Sequence, residues 1–150
     1  MKYSEEIRDL FTVPDDYYLA HCISADFGMG KGIVVEFNKR FDLKNKLVSK
    51  YGSFVNHWDN STNDHKGSCI LEERVFNLIT KSNYWNKPTY DTLTQALKCM
   101  RILALHNNIE KIAMSIISCG LDRLQWGKVS EIIKEVFADT DVEILVCKQN

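Results

Sequence analysis

The stretch that decides the fold begins Tyr18-Leu19-Ala20-His21-Cys22-Ile23, a short, mostly apolar run that reads as a buried strand. It continues Ser24-Ala25-Asp26-Phe27-Gly28-Met29-Gly30-Lys31-Gly32, with three glycines at every second position. Ile33, Val34, Phe37 and Phe41 then follow at helical spacing. Strand, glycine loop, helix is a layout by which a backbone approaches phosphate closely. Glycine removes the side chain that would block the approach. The helix start turns N–H groups and a positive dipole end toward the anion. The pattern is neither the Walker G-x-x-x-x-G-K-[ST] nor the dinucleotide G-x-G-x-x-G. Alone, it fits a glycine-rich structural turn equally well, so the rest of the chain decides.

Working outward, 150 residues with 45% hydrophobic content suit one domain, residues 1–150, with a sizeable core. The net charge of −1 provides no global field for nucleic acid or an anionic membrane. Nucleic acid stays possible but is not indicated, and no membrane partner is expected. Lys31, Lys39, Arg40, Lys44, Lys46 and Lys50 outnumber Glu36 and Asp42 in one segment, which reads as a solvated helix face. Cys22, Cys69, Cys99, Cys119 and Cys147 are odd in number, widely spaced and without a C-x-x-C pair, as reduced cysteines are. Met1 to Glu6 lacks the apolar core of a signal peptide, and no stretch approaches membrane-spanning length. The expectation is a cytoplasmic or nuclear monomer.

The remaining segments alternate. Residues 2–8 read as an edge strand, and Val13-Pro14-Asp15-Asp16 as a turn. Helix is expected after the glycine loop to about Tyr51. Cys69 to Leu71 and Val75 to Ile79 flank Glu72-Glu73-Arg74 as a hairpin. Lys87-Pro88-Thr89 opens a helix whose apolar face is Leu93, Ala96, Leu97, Met100, Leu103 and Ala104. Ile112 to Ile117 is apolar at nearly every residue, as a strand covered on both faces requires. A second short loop, Ser118 to Arg123, leads to a helix with Val129, Ile132, Ile133, Val136 and Phe137. Val142, Ile144 and Val146 close the chain as a strand. Such alternation argues α/β, a mixed, mostly parallel sheet with helices on both faces. Two loops following strands and opening helices would meet at the carboxyl edge, where open sheets bind ligands.

At this point the motifs become recognisable. Leu19 to Phe41 resembles the first ligand loop of macro domains, in the terminal ADP-ribose protein glycohydrolase branch. Ile79-Thr80-Lys81 followed by Lys87-Pro88-Thr89-Tyr90 resembles that branch's central motif. Cys119-Gly120-Leu121-Asp122-Arg123-Leu124-Gln125-Trp126 is similar to its second loop. The resemblance runs from about Asp9 to Val146, in family order, and implies a three-layer α/β/α macro fold that binds ADP-ribose. It places Asp9 near the adenine amino group. Ile23, Ser24, Gly28, Met29, Gly30, Lys31, Gly32 and Ile33 fall in the first ligand loop. Ser118, Cys119, Gly120 and Leu121 fall in the second, beside the diphosphate and distal ribose. Lys81 takes the position of the branch's proposed nucleophile, and Asp122 that of its acid/base. No cofactor is implied.

The chemistry is coherent in itself. A neutral amine can attack an anomeric centre or the opened sugar aldehyde, and a carboxylate in reach can shuttle the protons. Burial or a neighbouring cation would favour the neutral amine. Two departures matter. Arg8 stands where the family usually has glycine, and Ser115-Ile116-Ile117-Ser118 where it usually has Pro-Arg-Ile-Gly. Ser118 is expected to add a side chain where backbone meets ligand and so to alter affinity. His21-Cys22-Ile23-Ser24 replaces the Asn-Ala-Ala-Asn of the more common macro hydrolases, which argues against their water-activating mechanism.

Other candidates are weaker. Cys119 with His21 as a thiol pair reads better as core packing, and His57 and His65 lack metal-ligand spacing, so no metal is expected. Trp85, Trp126, Tyr84 and Tyr90 read as core or pocket wall, one of them stacking on adenine or ribose. The leading reading is a hydrolase of O-acetyl-ADP-ribose or of mono-ADP-ribose on Glu/Asp. The alternatives are a non-catalytic ADP-ribose reader, a hydrolase of ADP-ribosylated DNA bases, or a binder of another nucleotide phosphate.

Overall fold

The computed structural model describes residues 1–55, 67–120 and 122–149. The apolar runs become strands β1 (Lys2–Ile7), β2 (Tyr18–Ser24), β3 (Ser68–Glu72), β4 (Val75–Lys81), β5 (Lys111–Met114) and β6 (Glu143–Lys148). They form one sheet in the order β1-β6-β5-β2-β4-β3. Every neighbouring pair is parallel except the β3–β4 hairpin. The carboxyl ends of β1, β6, β5, β2 and β4 therefore line a single edge.

Helices α1 (Val34–Phe41) and α2 (Leu43–Tyr51) cover one face, and α3 (Tyr90–His106) and α4 (Trp126–Phe137) the other. Alternation along the strands supplies both layers. On β4, Val75 and Ile79 join Phe37, Leu43 and Leu47 beneath the first helix pair. Phe76 and Leu78 join Leu97, Met100, Ile133 and Phe137 beneath the second. Each such large side chain, fully buried, contributes about 1.5–3 kcal/mol of transfer free energy. The three-layer α/β/α arrangement and the mostly parallel sheet agree with the sequence reading. Among the described residues, no helix is long and apolar enough to cross a membrane.

Three local expectations need correction. The helix expected to run through to Tyr51 breaks at Asp42, whose φ of 51° is left-handed. At the break the Asn38 side chain replaces a backbone partner: its Oδ1 accepts from Lys44 N at 2.9 Å. The strand expected over Ile112 to Ile117 ends at Met114. Beyond it the chain turns through a left-handed Ser118, and Ile117 packs as a buried loop residue. The basic segment is a solvated face in the main, with Arg40 paired to Glu36, Lys46 to Glu73 and Lys50 to Glu72. Thr89 and Thr92 form a reciprocal capping box that starts α3 one residue after the expected opening.

His21 lies at the centre of the α1 face, fully buried and stacked on Phe37 with ring centroids 4.0 Å apart. Asn77 Nδ2 donates to the carbonyls of Ile70 and Val75, so Asn77 Oδ1 accepts from His21 Nε2–H at 2.6 Å. Nδ1 has no partner among the described residues, and a proton there would be a buried charge. Burial accordingly holds the His21 pKa down at about 4, against an ordinary 6.5. In acid, the unfolded chain takes the proton first. Stability is thus full above pH 6.5 and drains as pH falls toward 4, by about 3 kcal/mol at the limit. Urea unfolding across this range should show that slope, and His21→Gln should flatten it whatever its own stability. Parallel slopes in the two proteins would contradict the assignment.

Candidate active site

The site begins with an irregularity in the pairing of β2 with β4. Ile23 pairs with Ile79, but Ser24 pairs with Lys81, so Thr80 is an extra residue in β4. Such a bulge re-aims the side chain after it. Thr80 is buried, its Oγ1 without a partner among the described residues, and the next residue, Lys81, sends its Nζ to Asp122 Oδ1 at 2.8 Å. The two side chains are only 15% and 14% exposed, which separates this ion pair from the surface pairs elsewhere. Two residues 41 positions apart in the chain are thereby brought into hydrogen-bond contact at the carboxyl edge.

The first loop is bound to the Lys81 loop by continued pairing: Ala25 N donates to Lys81 O at 2.9 Å and Asp26 N to Ser82 O at 3.1 Å. Asp26 fastens both. Its carboxylate accepts from Ser24 Oγ, from Gly28 N at 3.0 Å and from Tyr84 N at 3.1 Å. Burial alone would raise the Asp26 carboxyl, but these donors hold it below its ordinary value. Gly28 owes its identity to the same junction, since a Cβ there would stand 2.7 Å from Tyr84 Cβ. Gly32 has φ 79°, the left-handed conformation that favours glycine just ahead of α1. Met29 is buried, whereas Gly30, Lys31, Gly32 and Ile33 form the exposed crest.

The second loop is closed by Leu124 N donating to Ser118 O at 2.7 Å and anchored by Gln125 N donating to Tyr90 Oη at 3.0 Å. Ser118 is left-handed, with φ 61°, and buried, with Oγ 3.4 Å from Cys22 Sγ. Its hydroxyl turns inward under the loop, toward Cys22. Burial pushes the Cys22 thiol up to about 12 and the Cys119 thiol up to about 11, so neither is a thiolate nucleophile. His21 and Cys119 pack on opposite faces of the sheet, which removes the thiol pair.

Asp9 lies apart from this cluster in sequence but on the same edge, just beyond the carboxyl end of β1. It is exposed, and its Oδ1 caps a short 3-10 turn (Leu10–Thr12) by accepting from Phe11 N at 2.9 Å. Ile23 and Ser24 are buried at the end of β2, beneath the crest. Cys119 is half-buried and Gly120 exposed. Leu121, His57 and His65 lie outside the described residues. The aromatic expectations divide. Tyr90 and Trp126 pack against the core, but Tyr84 and Trp85 are each 63% exposed. Sequence reasoning missed Asp26. Its signal was the Asp26-Phe27-Gly28 spacing, in which an aspartate accepts from the N–H two residues on.

The chain matches no protein-family model. It is 39% identical over 142 residues to ADP-ribose glycohydrolase OARD1 of Homo sapiens, covering 92% of this chain and 86% of that protein. Among solved structures it resembles the macrodomain of Mycobacterium tuberculosis DarG, with TM-score 0.76 and 17% identity over 99% of this chain and 97% of that one. It also resembles Thermosipho africanus DarTG in complex with ADP-ribose, with TM-score 0.72 and 15% identity over 98% of this chain and 41% of that one. At those identities the solved structures establish the fold.

The Asp26 junction is testable without any ligand. Asp26→Asn puts an NH2 group where one of three donors needs an acceptor, and should cost about 1–3 kcal/mol in urea unfolding. Trp85 fluorescence should change with it, because Tyr84 loses its tether. An unchanged midpoint and spectrum would show that the carboxylate is not what joins the loops.

Proposed function

The chain belongs to the macro-domain family of the ADP-ribose glycohydrolase type, and from that membership we propose that it releases ADP-ribose from esters, either O-acetyl-ADP-ribose or mono-ADP-ribose on Glu and Asp side chains. The observation that carries the finer reading is the half-dry contact between Lys81 Nζ and Asp122 Oδ1 at 2.8 Å, beside a glycine crest on the carboxyl edge.

In this reading the crest at Gly30, Lys31 and Gly32 and the Cys119–Gly120 backbone hold the diphosphate. Asp9 accepts from the adenine amino group. The distal ribose then lies over Lys81 and Asp122. Asp122 takes a proton from Lys81, and the freed amine attacks C1″. The bond from C1″ to the ester oxygen breaks, and the carboxylate leaves with the electron pair. The resulting nitrogen adduct opens to a Schiff base as Asp122 moves the remaining protons. Water adds to the imine carbon, the C–N bond breaks, and ADP-ribose departs with the amine restored. The net reaction is ester plus water to ADP-ribose plus carboxylic acid.

Release of ADP-ribose from O-acetyl-ADP-ribose and from a mono-ADP-ribosylated acidic peptide tests the proposal. Lys81→Ala should abolish turnover while ADP-ribose still raises the melting temperature, because a native-state ligand stabilises by RT ln(1 + [L]/Kd). Asp122→Ala should lower the rate on the order of 10²–10⁴-fold. A wild-type chain that binds ADP-ribose and releases nothing is a reader, and an active Lys81→Ala refutes the lysine route.

Ser118→Gly gives a separate check on the second loop. With the hydroxyl turned toward Cys22, calorimetry should find the ADP-ribose Kd unchanged within about twofold, below 0.5 kcal/mol. A markedly tighter complex would mean that the serine crowds the ligand after all.

A further inference from the structure

Arg8 follows β1 with a long side chain where the family usually has none. Its guanidinium reaches forward over the 3-10 turn that comes next. Nη2 donates to the Thr12 carbonyl at 3.0 Å, Nε to Thr12 Oγ1 at 3.3 Å and Nη1 to Glu6 Oε2 at 3.3 Å. All three nitrogens have a partner, and two of them grip one residue. A planar fork holds a partner in this way, whereas an ammonium presents a single point.

Thr12 passes the grip on to Asp9. Its Oγ1 donates to the Asp9 carbonyl at 2.6 Å, and its N–H donates to the same oxygen at 3.0 Å. Asp9 Oδ1 accepts from Phe11 N at 2.9 Å, and Oδ2 is left open among the described residues. Phe11 pins the other side of the turn, with its ring centroid 5.0 Å from that of Phe37 and 4.4 Å from the Arg40 guanidinium carbon. A single 3-10 turn has little stiffness of its own, because its hydrogen bonds are poorly aligned. Clamped from both sides, it holds one carboxylate oxygen in a fixed direction beyond the carboxyl end of β1. The Arg8 side chain is 33% exposed, so the clamp adds little to global stability, and its effect is local.

We propose that Arg8, acting through Thr12, is a positioning residue that fixes Asp9 against the amino group of adenine and so sets the preference of the site for adenine over hypoxanthine. The proposal rests on the ADP-ribose reading above. Adenine offers the carboxylate a donor, and hypoxanthine offers an acceptor in the same place, which repels it. Only a carboxylate held in place turns that difference into selectivity. One that is free to rotate pays an ordering cost to meet adenine and swings away from hypoxanthine.

Calorimetry on the whole chain, with ADP-ribose and with its hypoxanthine analogue, tests the role. The wild type should prefer ADP-ribose by about tenfold, and Arg8→Ala should weaken ADP-ribose roughly fivefold while the analogue stays within about twofold. Thr12→Ala should repeat that pattern, and Thr12→Ser should restore ADP-ribose binding because it keeps the hydroxyl. The double variant Arg8→Ala with Thr12→Ala should lose little more than either single one, as residues acting as one unit do. The role is overturned if Arg8→Ala leaves ADP-ribose binding unchanged or if both nucleotides weaken alike. It is also overturned if Thr12→Ala is silent, which would have Arg8 meet the ligand itself, or if Thr12→Ser is as weak as Thr12→Ala. A wild type that binds the two nucleotides equally overturns the positioning role and leaves the hydrolase standing. A wild type that binds neither refutes the ADP-ribose reading, and the role with it.

Discussion

A lysine and an aspartate 2.8 Å apart, each about one-seventh exposed, set the terms for the rest of the site. Neither is placed by its own segment alone. Lys81 reaches the contact because β4 carries an extra residue at Thr80, and Asp122 because its loop is closed by the Ser118–Leu124 hydrogen bond and anchored on Tyr90. The parallel sheet is what makes these devices converge. With five strands ending on one edge, loops from β1, β2, β4 and β5 open onto common ground, and the core beneath holds their separations. Water is partly excluded there, which strengthens charge–charge contact and hydrogen bonding alike.

Asp26 performs the complementary task. It ties the first loop to the Lys81 loop with donors from both, so the crest cannot shift without disturbing Tyr84 and, next to it, Trp85. One carboxylate thereby links the glycine loop to the loop between β4 and α3. Glycine at position 28 permits that junction by leaving room for Tyr84 rather than by freeing the backbone, whereas Gly32 does need its left-handed φ.

The fold was legible because its signals are periodic and local. The apolar β2 run, the β3–β4 hairpin around Glu72-Glu73-Arg74 and the α3 face from Leu93 to Ala104 all appear where the pattern put them. The misjudged boundaries have tertiary or single-residue causes. Asp42 adopts a conformation that helical periodicity does not register, and the apolar residues past Met114 serve a buried loop instead of a strand. For the site, the motif resemblance marked Lys81 and Asp122, which the structure brings together. The bulge at Thr80 and the inward turn of Ser118 left no trace in the sequence, because each depends on a neighbouring strand. For Tyr84 and Trp85 the sequence leaves core and pocket wall open, and only their exposure excludes the core.

The central claim is covalent chemistry at Lys81, and trapping tests it most directly. Borohydride added while the chain turns over O-acetyl-ADP-ribose should reduce the Schiff base to a stable amine. Peptide mass spectrometry should then find an ADP-ribosyl adduct on Lys81, absent when substrate or borohydride is omitted. Sustained turnover with no adduct, or an adduct on a different residue, would contradict the account.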